Sequence, residues 1–197
     1  VCNDDAESSK LMVKALAAAL KENASITSID LYDNKIGNES AEALAEALME
    51  NKSITNINLG FNQIGAEGAE ALKQSNSITN IDLQETGIGD ESFKALASLV
   101  AELEMNKSVR NMDLEGNEMG ADIAKEESDR QGHNDIGTEG AKALAQALKE
   151  NKSITNINLR GNAIRDVGVE ALAQGLKENK SITNIDFGCS RIGAEGA

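Results

Sequence analysis

Between residues 154 and 164 the apolar side chains fall at Ile154, Ile157, Leu159 and Ile164, with Asn162 set among them, whereas from 169 onward they fall at Val169, Leu172, Ala173 and Leu176. The first spacing alternates as a strand does, with 157 and 159 turned inward and 156, 158 and 160 outward. The second repeats at i, i+3, i+4 and i+7, the stripe of an amphipathic helix. A strand followed by a helix is therefore predicted, and the pair recurs along the chain. Ser-Ile-Thr-Asn-Ile-Asn-Leu stands at 53–59 and returns unchanged at 153–159, with near copies from Ser25, Ser77, Ser108 and Ser181, at intervals of 28, 24, 31, 45 and 28 residues. A unit of about 28 residues cannot enclose its own apolar face and must stack on copies of itself, which predicts a solenoid. The expected architecture is α/β, with one inner parallel β-sheet and outer helices in a single domain over 1–197.

Asn38, Asp90, Thr138 and Asp166 stand just before the predicted helices, where a short oxygen-bearing side chain caps an unpaired amide, and Asn51, Asn151 and Asn179 stand at the far ends, where asparagine tolerates a left-handed residue. The unit from Ser53 is four residues short and the next three long, each change being close to one helical turn. Phe93 replaces the alanine found at 41, 69 and 141. The largest irregularity is at 120–135. There Asn117-Glu118-Met119-Gly120 recurs as Asn134-Asp135-Ile136-Gly137, so the segment is either a 17-residue insert or a repeat that lost its strand. Its polar content predicts a protruding loop or a short frayed helix, and the most mobile internal segment of the chain. The chain opens at Val1 and stops at Ala197 with no polar capping unit at either end, which predicts a fragment of a longer array.

The motif Leu-x-x-Leu-x-Leu-x-x-Asn-x-Leu, matched by Ile154, Ile157, Leu159, Asn162 and Ile164, together with Ile136-Gly137 through Leu148, resembles the ribonuclease-inhibitor-like subfamily of leucine-rich repeat proteins. Similar repeats occur in ribonuclease inhibitor, the Ran GTPase-activating protein and NLR-type receptors. The resemblance implies an intracellular horseshoe that binds proteins through its concave sheet, with Asn34, Asn62, Asn117 and Asn162 as a buried ladder. Thr86 and Ser190 replace two of its rungs, which predicts looser third and sixth turns.

Thirty-three acidic against 19 basic residues give a formal net charge of -14, which opposes binding to polyanions such as nucleic acid or an anionic membrane and favours a protein partner with a basic surface. Two cysteines at opposite ends make no disulfide framework and suit a reducing cytoplasm. No apolar run reaches a membrane-spanning length. His133 lacks ligand or catalytic partners at any known spacing. No residue matches a catalytic one and no cofactor is implied, so the chain reads as a monomeric interaction module and not an enzyme, with a GTPase-activating protein, a receptor sensor fragment or a secreted microbial effector as alternatives. The outward middle column runs Asp30, Asn58, Asp82, Asp113, Asn158, Asp186. It is either a solvated sheet face or a docking surface, in which Glu115 adds charge and Tyr32, Phe61 and Arg160 serve as anchors. A calcium site on these aspartates lacks the converging oxygens it would need.

Overall fold

The structure is a computed structural model describing residues 4–72, 75–88, 97, 100, 108–116 and 138–193, apart from the side chains of 4–9 and of Ala66. In chain order the described elements are α1 (Asp4–Glu22), β1 (Ser28–Asp30), α2 (Asn38–Glu50), β2 (Asn56–Asn58), α3 (Gly65–Ala71), β3 (Asn80–Asp82), β4 (Asn111–Asp113), α4 (Thr138–Glu150), β5 (Asn156–Asn158), α5 (Arg165–Glu178) and β6 (Asn184–Asp186). The six strands form one sheet in sequence order, every neighbouring pair parallel. Register follows the repeat without a slip: Ser28, Asn56, Asn80, Asn111, Asn156 and Asn184 lie side by side. This is the α/β leucine-rich repeat solenoid that the periodicity predicts.

One core runs the length of the stack. Ile57, Leu59, Ile64, Ile81, Leu83, Met112, Leu114, Ile157 and Leu159 project from the strand side, and Leu44, Leu48, Leu144 and Leu148 meet them from α2 and α4. Each such side chain, fully buried, contributes on the order of 1.5–3 kcal/mol from the apolar surface removed from water. Small residues let the helices approach closely. A Cβ on Gly168 would stand 2.7 Å from Ile164 Cγ2 and 2.9 Å from Ala141 Cβ, and Gly68 is hemmed in alike by Ile64 and Ala41. On the outer face Lys10 pairs with Glu39, Lys21 with Glu50 at 3.2 Å and Lys149 with Glu178 at 2.8 Å, each joining one helix to the next. The hydrogen bond and charge of Lys10 hold the Glu39 carboxyl below its ordinary pKa.

Two expectations about helix ends are corrected. Asn51 and Asn179 are extended rather than left-handed, with φ -71° and ψ 132° at the first and 138° at the second. Their side chains instead bind turn to turn: Asn51 Nδ2 donates to the Leu20 and Asn23 carbonyls of the preceding turn, both at 2.7 Å, while Oδ1 accepts from the Ser53 and Ile54 amides. Asn151 and Asn179 repeat the arrangement. Nor do Asn38 and Asp166 cap their helices. Gly37 and Ile164 hold the cap positions without a side-chain bond, and Asn38 Oδ1 and Asp166 Oδ1 accept the amides of Gly68 and Gly193 in the following turn. Thr138 is the first residue of α4. Asp90, Phe93, Asn117, His133 and the irregular stretch at 120–135 lie outside the described residues.

The asparagine ladder is present at Asn62 and Asn162, which are 4 % and 0 % exposed. Asn62 Nδ2 donates to the carbonyls of Leu31, Leu59 and Gly60, and its Oδ1 accepts from the amides of Asn34 and Ile36. Asn34 is exposed. Thr86 and Ser190 are buried substitutes bonding through one hydroxyl, to Leu83 in the first case and to Leu159 and Gly188 in the second.

Candidate protein-interaction face

Each strand gives the outward face of the sheet one residue in each of three columns. The first column is an amide ladder: Asn80, Asn111, Asn156 and Asn184 each donate Nδ2 to the Oδ1 of the asparagine one turn earlier. Its members consume one another's polar capacity, and the sequence reading missed this, although the recurrence of asparagine in one register position was the available signal.

The middle column has a backbone duty. Asp30, Asn58, Asp82, Asp113, Asn158 and Asp186 each accept, through Oδ1, the amide two residues onward, at 2.7–3.0 Å. Either aspartate or asparagine can do this. The charge on four of the six is therefore not required by the turn.

Those charges are not equally compensated. Asn158 Nδ2 donates to Asp113 Oδ2 at 3.2 Å and to Glu115 Oε2 at 3.0 Å, and Arg160 Nε lies 3.5 Å from Glu115 Oε1. Asp82 has no cation paired with it among the described residues, and its pKa is raised, first by burial and then by the charges of Asp113, Asp30 and Glu115, against the lowering effect of the Gln84 amide. Asp30 and Asp186 stand exposed near the two ends of the sheet. The middle of the sheet is hollowed, with a depression of about 410 Å³ lined by Asp30, Asn58, Asp82, Asp113, Asn158 and their neighbours.

The third column holds Tyr32, Gly60, Gln84, Glu115, Arg160 and Gly188. Tyr32 and the adjoining Phe61 are 44 % and 43 % exposed, their ring centroids 5.0 Å apart and tilted by 45°. Phe61 is left-handed at φ 54°, as are the equivalent Asp33, Glu85, Gly116, Gly161 and Cys189, all between 51° and 68°. That conformation favours glycine, asparagine or aspartate, so the turn imposes a strained backbone on Phe61, whose ring lies exposed beside Tyr32. The structure thus joins Tyr32 to Phe61, Glu115 to Arg160, and Asp82 electrostatically to Asp30, Asp113 and Glu115. Asp186 and Arg160 border the space over Gly188 without forming an ion pair: a Cβ built there would stand 2.8 Å from Arg160 Nη1 and 3.1 Å from Asp186 Oδ1.

No group of three or more histidine, cysteine, aspartate or glutamate side chains is placed to hold a metal ion among the described residues. None of their helices is long and apolar enough to cross a membrane.

A family model described as a leucine-rich repeat matches residues 22–45, 50–73, 132–145 and 150–173. Among solved structures the chain is similar to the tropomodulin C-terminal domain from Caenorhabditis elegans, at TM-score 0.56 and 17% identity over 89% of this chain and 93% of that one. It is similar also to leiomodin-1 actin-binding site 2, at TM-score 0.57 and 17% identity over 87% and 89%. No curated protein sequence matches. The repeat matches and the architecture agree on an α/β leucine-rich repeat solenoid, and the likeness to the two solved structures is one of fold.

Proposed function

We propose that the chain is a non-enzymatic interaction scaffold, a monomeric cytoplasmic module of the ribonuclease-inhibitor-like kind, whose hollowed sheet face binds a protein with a basic surface. The observation that carries this reading is the set of aspartates at 30, 82, 113 and 186, which the turns do not need as charges; at Asp82 burial first, and then the charges of Asp113, Asp30 and Glu115, raise the pKa. A cationic partner relieves that repulsion and is steered by the summed field. In leiomodin-1 a similar fold is an actin-binding site, so in that protein the architecture serves protein docking.

The test is kinetic. Immobilised basic peptides of mixed arginine and lysine content are titrated with the chain at roughly 0.1 M and roughly 1 M salt, which shortens the screening length from about 10 Å to about 3 Å. Binding should collapse at the higher salt. The double change Asp82→Asn, Asp113→Asn should slow association more than it speeds dissociation, and Tyr32→Ala should chiefly speed dissociation. Binding that is indifferent to salt, or that survives the aspartate changes and is lost on replacing Glu42 and Glu46 of α2, overturns the proposal.

A further inference from the structure

The basic-surface reading leaves open which cation the face is shaped for, and the two ends of the third column bear on this. In the last two turns Arg160 extends over Gly188, whose lack of a side chain leaves room for the guanidinium, and its Nε lies 3.5 Å from Glu115 Oε1. In the first two turns the same pair of positions holds Tyr32 and Gly60. A Cβ on Gly60 would lie 3.3 Å from Tyr32 Cδ2, 3.2 Å from Asn58 Oδ1 and 3.5 Å from Asp82 Oδ1. The tyrosine ring thus borders the space over Gly60 from one side and the Asp82 carboxylate borders the same space from another, while Phe61 extends the aromatic surface beside Tyr32. One end carries its own guanidinium; the other carries an aromatic shelf bordered by a carboxylate that has no paired cation among the described residues.

We infer that the Tyr32, Phe61 and Asp82 cluster is a seat for an arginine side chain of the partner, its guanidinium plane stacked on the exposed rings and its N–H groups directed to Asp82. This rests on the basic-partner reading above and narrows it from a charge to a chemical group. Guanidinium is planar, weakly hydrated and able to stack while donating in its own plane, whereas the lysine ammonium is a compact and strongly hydrated charge. A carboxylate beside an aromatic face therefore favours arginine, and the attraction of the ring for a cation adds to the Coulomb attraction. Asp82 is suited to the role because its Oδ1 already accepts the Gln84 amide, which fixes the carboxylate in orientation.

The chain has one tyrosine and no tryptophan, so its near-ultraviolet emission reports on Tyr32 alone. The experiment titrates it with three short peptides of one sequence that carry arginine, lysine or the uncharged isostere citrulline at the same positions. The arginine peptide is expected to shield Tyr32 from acrylamide quenching and to bind about tenfold tighter than the lysine peptide, with the citrulline peptide weakest. Calorimetry on Tyr32→Leu and Phe61→Leu, which keep apolar bulk and remove the π face, should show the preference for arginine falling to within about twofold while both cationic peptides still bind in a salt-dependent way. Equal binding of arginine and lysine by the unaltered chain, or a preference that survives Tyr32→Leu, overturns the seat and leaves the acidic face standing. Failure of both cationic peptides to bind at roughly 0.1 M salt overturns the acidic-face reading and the seat with it.

Discussion

Turns one to three and turns four to six place the same three columns on the sheet, yet among the described residues only the later group pairs one of its carboxylates with a cation of its own. Asn158 donates to Asp113 and Glu115, and Arg160 pairs with Glu115 and covers Gly188. In the earlier group Asp82 has no cation among the described residues, and the place of Arg160 is taken by an exposed tyrosine. The backbone does not explain the contrast, because the middle residue of every turn makes the same bond to the amide two residues on, whether it is aspartate or asparagine. What differs is whether a carboxylate has a cationic side chain of the same face beside it, as Glu115 has Arg160 and Asp82, among the described residues, does not.

The strongest way to break the comparison is to remove what holds the early turns in shape. Asn62 satisfies the carbonyls of Leu31, Leu59 and Gly60 and the amides of Asn34 and Ile36, and two of those carbonyls adjoin Tyr32 and Phe61. An unpaired buried backbone group costs about 1–3 kcal/mol, so Asn62→Ala should lower unfolding free energy by about 3 kcal/mol or more in denaturant titrations. The preference for arginine peptides should go with it. A loss under about 1 kcal/mol would mean that water replaces the amide.

The later turns are held by close helix packing and have their own weak point. A Cβ on Gly175 of α5 would stand 2.4 Å from the Ala145 carbonyl oxygen of α4, a backbone atom that cannot move alone. Gly175→Ala would gain up to about 1 kcal/mol of helix propensity, but forcing the helices apart costs about 1–3 kcal/mol. A net loss of roughly 1–2 kcal/mol is expected, with peptide binding at Tyr32 unchanged. A stabilised variant would show that α5 is free to slide on α4.

The repeat was legible because burial imposes it: Ile57 and Leu59 point inward with period two, and Leu44 and Leu48 recur one helical turn apart, whatever else the chain does. The charged column was legible for the same reason, since its register is that of the strands. The division of the face was not. Whether Glu115 is compensated depends on Asn158, 43 positions onward, and no local pattern names that partner. Nor could sequence tell that Asn51 reaches back to the Leu20 carbonyl instead of turning left-handed, because asparagine suits both tasks. Tyr32 and Phe61 were each legible as exposed aromatic residues, but their contact follows from the left-handed turn at Phe61, where phenylalanine is not the expected residue.

A smaller effect separates the carboxylate's part in binding from its part in stability. Asp82 has its pKa raised in the folded state, so its favourable contribution is fully present below its unfolded pKa and is lost as pH rises through the folded value. At neutral pH the ionised group is then a liability to the fold. Asp82→Asn keeps an oxygen for the Gln84 amide and removes the charge. Thermal unfolding at pH 7 should show the variant more stable by less than about 1 kcal/mol, the scale of partly solvated charges, with the advantage shrinking in acid as Asp82 takes up its proton. The same variant should bind basic peptides more weakly, and a variant that is both less stable at neutral pH and unaltered in binding would contradict both roles.

The smallest expected effect tests the later turns directly. Arg160 and Glu115 are about half and somewhat over a third exposed, at 48% and 39% for their side chains, and an ion pair so solvated is worth about 0.2–1 kcal/mol at most. Arg160→Ala should therefore leave the unfolding midpoint almost unchanged. Binding should change in an informative direction. If Arg160 acts as the internal cation of turns four to six, its removal releases Glu115 and clears the space over Gly188, so a basic peptide should bind a few-fold more tightly at low salt and the gain should vanish as salt rises. If instead Arg160 anchors the partner, as an arginine at an outward strand position suggests, the same change should weaken binding. The contact with Glu115 and the position over Gly188 favour the first outcome, and calorimetry on this one variant decides between them.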